Sequence, residues 1–207
     1  MTGNPIMACG ELVVQELLRS VAARTPAPGG GAVAAVTAAL ATALGQMVAH
    51  YAAGKPPAGA ETRFGEALRG LGRLQSVALE LADADAAAFT KLSELWKLSP
   101  DHERRQREWT DAVEAAIDVP KRVMETSLQT LVLLRSLDGS TNRHMAGDLA
   151  ISALLAEAAG RAAAWIVRIN LRLLTDDARS QELEAATRST LAEALNIYRA
   201  IEESCRI

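Results

Sequence analysis

The stretch TPAPGGGAVAAVTAALATALGQMVAHYAAG, residues 25–54, decides the fold class because it contains no Asp, Glu, Lys or Arg. Residues 32–53 form a continuous Ala-rich run with strong helix propensity and no proline. A helix that is apolar on all sides in a globular chain is buried. The run is long enough to span a bilayer. We nevertheless expect a core helix and no membrane, because alanine is only weakly apolar and polar residues recur in the run. These are Thr37, Thr42, Gln46 and His50.

Amphipathic or Ala-rich patterns predict further helices on both sides of this run, and no strand-like alternation is present. Turn signals separate the helices, and residues 175–177 supply an N-cap for the last one. The predicted helices span residues 11–23, 62–96, 101–137 with a break or kink at Pro120, 145–174, and 177 to about 205. The pattern predicts an all-α fold, an up-and-down bundle of long antiparallel helices, in a single domain over residues 1–207.

Composition and charge exclude several classes of protein. The net charge of −3 and pI near 5.7 leave no basic surface for a phosphate backbone, so we expect no nucleic-acid partner. Cys9 and Cys205 have no CxxC spacing and no neighbouring His cluster, so we expect neither a metal site nor a disulfide framework. The first ten residues lack the pattern of a secretory signal, and we therefore expect a cytoplasmic protein.

Two aspartates fall on the apolar side of predicted helices. At about 100° per residue, Asp85 and Asp148 lie about 180° to 240° away from charged side chains of their own helices. An inward carboxylate needs donors or a cation, or its pKa rises until it takes up a proton, and both conditions suit a general acid or base. Capping of a helix end or a buried ion pair would explain each aspartate equally well, especially Asp148 in the first turn of its helix.

The segment TPAPGGG, residues 25–31, stands directly before the Ala-rich helix. The first N–H groups of a helix have no intrahelical partner, and the helix dipole favours negative charge there. Because glycines clear Cβ atoms from this end, an anion could bind at Gly29, Gly30 and Gly31. A turn that only starts a helix has the same composition. The segment lacks the GK[ST] of a P-loop, and no strand precedes it as in a dinucleotide fingerprint.

The order of these elements resembles the cyclodeaminase and methenyltetrahydrofolate cyclohydrolase family. In both, a helix, a TPAPGGG-type loop, an Ala-rich helix and a Gly-Lys pair follow one another, here over residues 11–55. The resemblance covers nearly the whole chain in order. It continues through DADAAAF at 83–89, KLSP at 97–100, Val119-Pro120 and the segment 148–170 with its final VRIN.

The resemblance implies a helical bundle that forms a homodimer and holds tetrahydrofolate in a cleft near the glycine loop. The implied reactions are cyclisation of 5-formimidoyltetrahydrofolate with loss of ammonia, or reversible hydrolysis of the 5,10-methenyl form to 10-formyltetrahydrofolate. Asp148 would transfer the proton, and Asp85 would hold the pterin or assist. No metal or redox cofactor is required. The implied substrate-binding residues are Pro28, Gly29, Gly30, Gly31, Lys55 and Asn142.

The segment before Asp148 departs from the family pattern GNxNxxSD. Residues 139–148 read GSTNRHMAGD, so the Asp is kept, Gly147 replaces the preceding Ser, and Asn142 alone remains of the two asparagines. His144 stands near the place of the other asparagine. Histidine is a common proton donor in catalysis, so His144 could serve as one, although a lone loop histidine is more often inert.

Two further departures keep other hypotheses open. Pro56-Pro57 follows Lys55 where the family often has Lys and Tyr, and Ile166 stands where the family commonly has Asn. One alternative is therefore a family member without turnover that binds folate or another small ligand or serves as a helical interaction module. A plain structural bundle without a ligand is a third hypothesis, and Lys55 would then be an idle surface charge.

Overall fold

The computed structural model describes residues 13–53, 61–137 and 143–206. Within these ranges the chain forms α-helices, one short 3-10 helix at Arg143–Met145, and no strand. The prediction of an all-α fold is thus confirmed. The α-helices are α1 (Val14–Ala22), α2 (Gly30–Ala53), α3 (Glu61–Trp96), α4 (Glu103–Ser136), α5 (Ala146–Leu171) and α6 (Asp177–Ser204).

Helices α2 to α5 pack as an up-and-down bundle, and α6 packs against α4 and α5. Two contacts between α2 and α5 show that these neighbours run antiparallel. Ser152 on α5 donates its hydroxyl to the Ala41 carbonyl on α2 at 2.8 Å. At the start of α2, a Cβ added to Gly30 would lie 3.4 Å from Ile166 Cδ1, near the end of α5. The first turn of α2 therefore meets the last turns of α5.

Helix α2, which is rich in alanine, is the central helix of the bundle, since it packs against α3, α4 and α5. Its short side chains lose little entropy on burial and allow close approach of the neighbouring backbones. Gly45 is one point of close approach, because a Cβ there would lie 2.7 Å from Leu134 Cδ2. Large side chains from the other helices fill the remaining volume. Those fully buried around the C-terminal half of α2 include Phe64, Leu71, Leu131, Leu134 and Leu149.

Two helices of the described chain, α2 and α5, are long and apolar enough to cross a membrane, with mean hydropathies of 1.7 and 1.4. Of the most apolar window in each helix, 56% and 50% is buried inside the bundle. Because a core helix is apolar for the same reason as a spanning one, burial within the bundle accounts for this composition.

The sequence predicted a break or kink at Pro120, and the structure shows no break, because α4 continues through this residue without interruption. Proline has no N–H, so the carbonyl four residues earlier loses its helical donor. That carbonyl belongs to Ala116, and the side chain of Asn170 on α5 donates to it at 2.6 Å. A side chain therefore replaces the backbone donor. The predicted N-cap of the last helix is confirmed, since Asp176 accepts from the Arg179 N–H at 3.0 Å.

Candidate functional site

A cavity of about 220 Å³ opens at the N-terminal end of α2, between the preceding loop, α3, α4 and α5. Its wall is apolar apart from the glycine backbone, one carboxyl group and one amide. Ligand pockets for drug-sized molecules enclose about 300 to 1,000 Å³, so this cavity would hold one part of such a molecule. The lining residues are Pro26, Gly29, Gly30, Gly31, Asp85, Ala88, Phe89, Ala116, Ile166, Ile169 and Asn170.

Asp85 supplies the carboxyl group of the cavity. It lies on α3, is only 9% exposed, and accepts a hydrogen bond from the backbone N–H of Ala32 in the first turn of α2. Burial disfavours the ionised form and raises the pKa of Asp85, whereas the Ala32 N–H lowers it by a smaller amount. The predicted inward orientation is confirmed. The carboxyl group caps α2 and faces the cavity, so the capping role considered from the sequence also holds.

Gly31 allows this approach of α3 to α2. A Cβ built at Gly31 would overlap the carboxyl oxygens of Asp85, so no other residue fits beside the carboxyl as it stands. Gly29 and Gly30 line the same cavity, and the Ala27–Pro28 peptide bond just before them is cis. The glycine loop and Asp85 thus form one unit. The anion site expected at this helix end is already partly filled, because the Ala32 N–H serves the protein's own carboxyl group.

Asp148 does not share this cavity within one subunit, contrary to the prediction. It lies half-buried in the first turn of α5, and the cavity is at the other end of that helix. At about 1.5 Å per residue, Ile166 of the cavity wall is about 27 Å further along the helix axis. The helical-wheel argument concerns the face of the helix that carries Asp148. It does not give the position of Asp148 along the axis of the bundle.

The remaining predicted site residues have separate outcomes. His144 is exposed in the 3-10 helix before α5, at the Asp148 end, and does not line the cavity. Pro28 is half-buried, and Pro26 lines the cavity in its place. Lys55 and Asn142 lie outside the described residues. No group of three or more His, Cys, Asp or Glu side chains within the described ranges could hold a metal ion.

Sequence reasoning missed Asn170 as a cavity residue and misplaced Glu157. Asn170 is 9% exposed and is the amide of the cavity wall. The signal was available, because Asn170 continues the buried stripe of Ala163 and Val167 at helical spacing. Glu157 is one of the charged side chains that the helical wheel of the Asp148 helix assigned to the polar face, but it is only 6% exposed, and it pairs with Arg161 at 3.1 Å. Packing of α6 against α5 covers this side of the helix.

Comparison with known proteins adds a family to this geometry. A family model described as formiminotransferase-cyclodeaminase matches residues 13–189. The formimidoyltransferase-cyclodeaminase of Mus musculus is 32% identical over 188 residues, covering 86% of this chain and 34% of that protein. The methenyltetrahydrofolate cyclohydrolase of Methylorubrum extorquens is 26% identical over 202 residues, covering 95% of this chain and 97% of that protein. The chain thus spans about a third of the vertebrate relative and nearly all of the bacterial one.

A solved structure agrees with the bundle. The crystal structure of formiminotetrahydrofolate cyclodeaminase from Thermotoga maritima superposes with a TM-score of 0.85 at 26% identity. The similarity covers 94% of this chain and 96% of the other. The likeness therefore extends over the whole arrangement of helices, including those that form the cavity.

Proposed function

The chain belongs to the formiminotransferase-cyclodeaminase family, and we propose that it acts on a tetrahydrofolate derivative at the cavity beside Asp85. The proposed reaction is either cyclisation of 5-formimidoyltetrahydrofolate with release of ammonia or interconversion of 5,10-methenyltetrahydrofolate and 10-formyltetrahydrofolate. Relatives named for both activities match this chain. The observation that carries the proposal is a buried carboxyl group with a raised pKa at the glycine edge of a cavity.

Both reactions need a group that takes up and returns a proton. In the cyclisation, N10 attacks the formimidoyl carbon and loses its proton, and the C–NH₂ bond of the adduct breaks as the leaving nitrogen becomes ammonia. In the hydrolysis, water adds to the methenyl carbon and loses a proton. The bond from that carbon to N5 then breaks as the adduct hydroxyl releases its remaining proton to solvent and becomes the formyl carbonyl. We propose that Asp85 accepts the proton in the first step and returns it to the departing nitrogen in the second.

The position of Asp85 supports this role better than that of Asp148. A raised pKa brings a carboxyl group closer to neutral pH, where it can exchange protons with substrate. Asp85 is only 9% exposed, and its largely apolar surroundings strengthen its electrostatic effect. Asp148 lies about 27 Å along the α5 axis from Ile166 in the cavity wall. It could act beside Asp85 only if it came from a second subunit.

The test is turnover of both substrates by the purified wild-type protein. We expect the protein to accelerate the absorbance change of methenyltetrahydrofolate or the release of ammonia from 5-formimidoyltetrahydrofolate. The alternative is a family member that binds folate without turnover, and Ile166 in the cavity wall favours it because the family commonly has Asn there. Tetrahydrofolate binding without acceleration of either reaction would support the alternative and contradict the enzymatic proposal.

We also propose that a second copy of the chain covers the exposed apolar face of α2 and α5. Leu40 on α2 is 58% exposed and Trp165 on α5 is 62% exposed, although both are large and apolar. Their neighbours continue the face at helical spacing, and large contiguous apolar patches mark interaction sites. In a two-fold dimer the same patch on each subunit would face its copy, which is the arrangement that we propose. Its residues are Val33, Leu40, Met47, Tyr51, Ile151, Leu154, Trp165 and Ile169.

Charge placed on this face should separate the subunits. We expect wild-type protein to sediment as a dimer and the double variant Leu40→Glu, Trp165→Glu to sediment as a monomer, because a buried unpaired charge is costly. Val132→Glu is the matched control, since Val132 is 49% exposed on α4, away from the face. A wild-type monomer, or a double variant that remains dimeric, would contradict this interface. Sedimentation velocity measures each species.

A further inference from the structure

Pro120 frees one carbonyl in the middle of α4. The backbone N–H of residue 120 would normally donate to the carbonyl of Ala116, and proline has none. Ala116 lines the cavity, so the residue whose carbonyl lost its helical donor is part of the cavity wall. A buried carbonyl without a donor costs free energy, and a partner is therefore strongly favoured there.

Asn170 on α5 supplies that partner. Its side-chain nitrogen Nδ2 lies 2.6 Å from the Ala116 carbonyl oxygen. A carbonyl can only accept a hydrogen bond, so the donor end of the amide must face α4. Oδ1 is on the opposite arm of the amide and is the group that Asn170 can offer to the cavity. The proline thus fixes which end of the amide is presented to a ligand.

The two polar side chains of the cavity then have the same hydrogen-bonding character. Asp85 accepts through its carboxylate, and Asn170 accepts through Oδ1. The apolar part of the cavity wall includes the side chains of Phe89, Ile166 and Ile169. A flat ring that carries N–H or amino donors on its edge satisfies both acceptors, whereas an anionic group does not.

We propose that Asn170 determines specificity by accepting a hydrogen bond from a ring N–H or amino group of the ligand, and that Pro120 is the positioning residue that orients it. The proposal rests on the proposed function, since the reduced pteridine of a folate is such a donor-bearing ring. A site whose fixed acceptor needs a donor discriminates strongly against ligands that lack one, because the acceptor is then left unpaired.

The experiment measures tetrahydrofolate binding by calorimetry and the thermal midpoint without ligand for three variants. We expect Asn170→Leu to weaken the Kd by about tenfold or more, the loss of one hydrogen bond to a buried acceptor. Pro120→Ala should weaken the Kd severalfold without lowering the thermal midpoint, because alanine restores the helical donor to Ala116 and releases the amide. Asn196→Leu on the exposed side of α6 is the matched control and should leave the Kd unchanged.

Each result decides the point. A wild-type Kd in both Asn170→Leu and Pro120→Ala would overturn the specificity role while leaving the proposed function intact. A weaker Kd in Pro120→Ala that accompanies a lower thermal midpoint would overturn the positioning role, because general loosening would explain it. Wild-type protein that binds no tetrahydrofolate would overturn both the inference and the proposed function.

Discussion

Asp85→Asn is expected to lower turnover of the active folate substrate by about 10²- to 10⁴-fold, the usual contribution of a positioned general acid or base. The asparagine has nearly the same shape and keeps an oxygen that can accept from the Ala32 N–H. It cannot take up a proton at neutral pH. Initial rates under saturating substrate measure the effect. Turnover within about twofold of wild type would remove Asp85 from the mechanism, since no proton-transfer role allows so small a loss.

The stability of Asp85→Asn is the control for its loss of turnover, because we expect the substitution not to destabilise the protein at pH 7. Because burial raises the pKa of Asp85 above its ordinary value of 3.8, this carboxyl favours the folded state below that value. The advantage is lost as the pH rises through the raised pKa. Asp85→Asn should therefore be at least as stable as wild type at pH 7, and its relative advantage should shrink as the pH falls towards 3.8. Thermal melts of wild type and Asp85→Asn across this pH range distinguish a loss of catalysis from a loss of folding stability.

Gly31→Ala is expected to lower turnover by about 100-fold, because the new Cβ overlaps the carboxyl group of Asp85 and must displace it. Overpacking of this kind also costs about 1 to 3 kcal/mol of stability. The loss should appear in kcat, since the reacting carboxyl moves away from the position at which it exchanges protons. Measurement of kcat together with the thermal midpoint gives both effects on one sample.

Gly72→Ala is the matched control for that substitution. Gly72 lies within α3, outside the cavity, and a Cβ there would meet Gln46 Oε1 at an ordinary contact distance of 3.5 Å. Replacement of a helical glycine by alanine should then stabilise the protein by about 0.5 to 1 kcal/mol and leave turnover unchanged. If Gly31→Ala behaved like Gly72→Ala in both respects, the close approach of α2 and α3 would have no role in the site.

The fold could be predicted almost completely from the sequence, because its signals are local. The uncharged Ala-rich run predicted the central helix, and the patterns on its two sides predicted α1 and α3 to α6 with ends within a few residues. At Pro120 the loss of a backbone N–H can be read from the sequence, but the contact that compensates for it cannot. The Asn170 side chain donates to the freed carbonyl, and α4 continues without a break.

The site was predictable only in part. A helical wheel gives the direction in which a side chain points, but not the position of its residue along the axis of the bundle. The inward direction of Asp85 and the start of a helix after the glycine loop were predicted correctly, but their meeting at one helix end was not. Asp148 is half-buried at the other end of α5, and chain order alone does not give the register between α5 and α3. Asn170 was overlooked although its spacing from Ala163 and Val167 places it on the buried stripe of α5, because the helical-wheel argument was applied only to carboxylates.

The most direct measurement is a crystal structure of the wild-type protein with tetrahydrofolate bound. The account predicts the pteridine ring in the cavity between the glycine loop and Asn170, with N5 or N10 within about 2.6 to 3.2 Å of the Asp85 carboxyl or one water away. A pteridine ring bound elsewhere, such as beside Asp148 of the same subunit with this cavity empty, would contradict it.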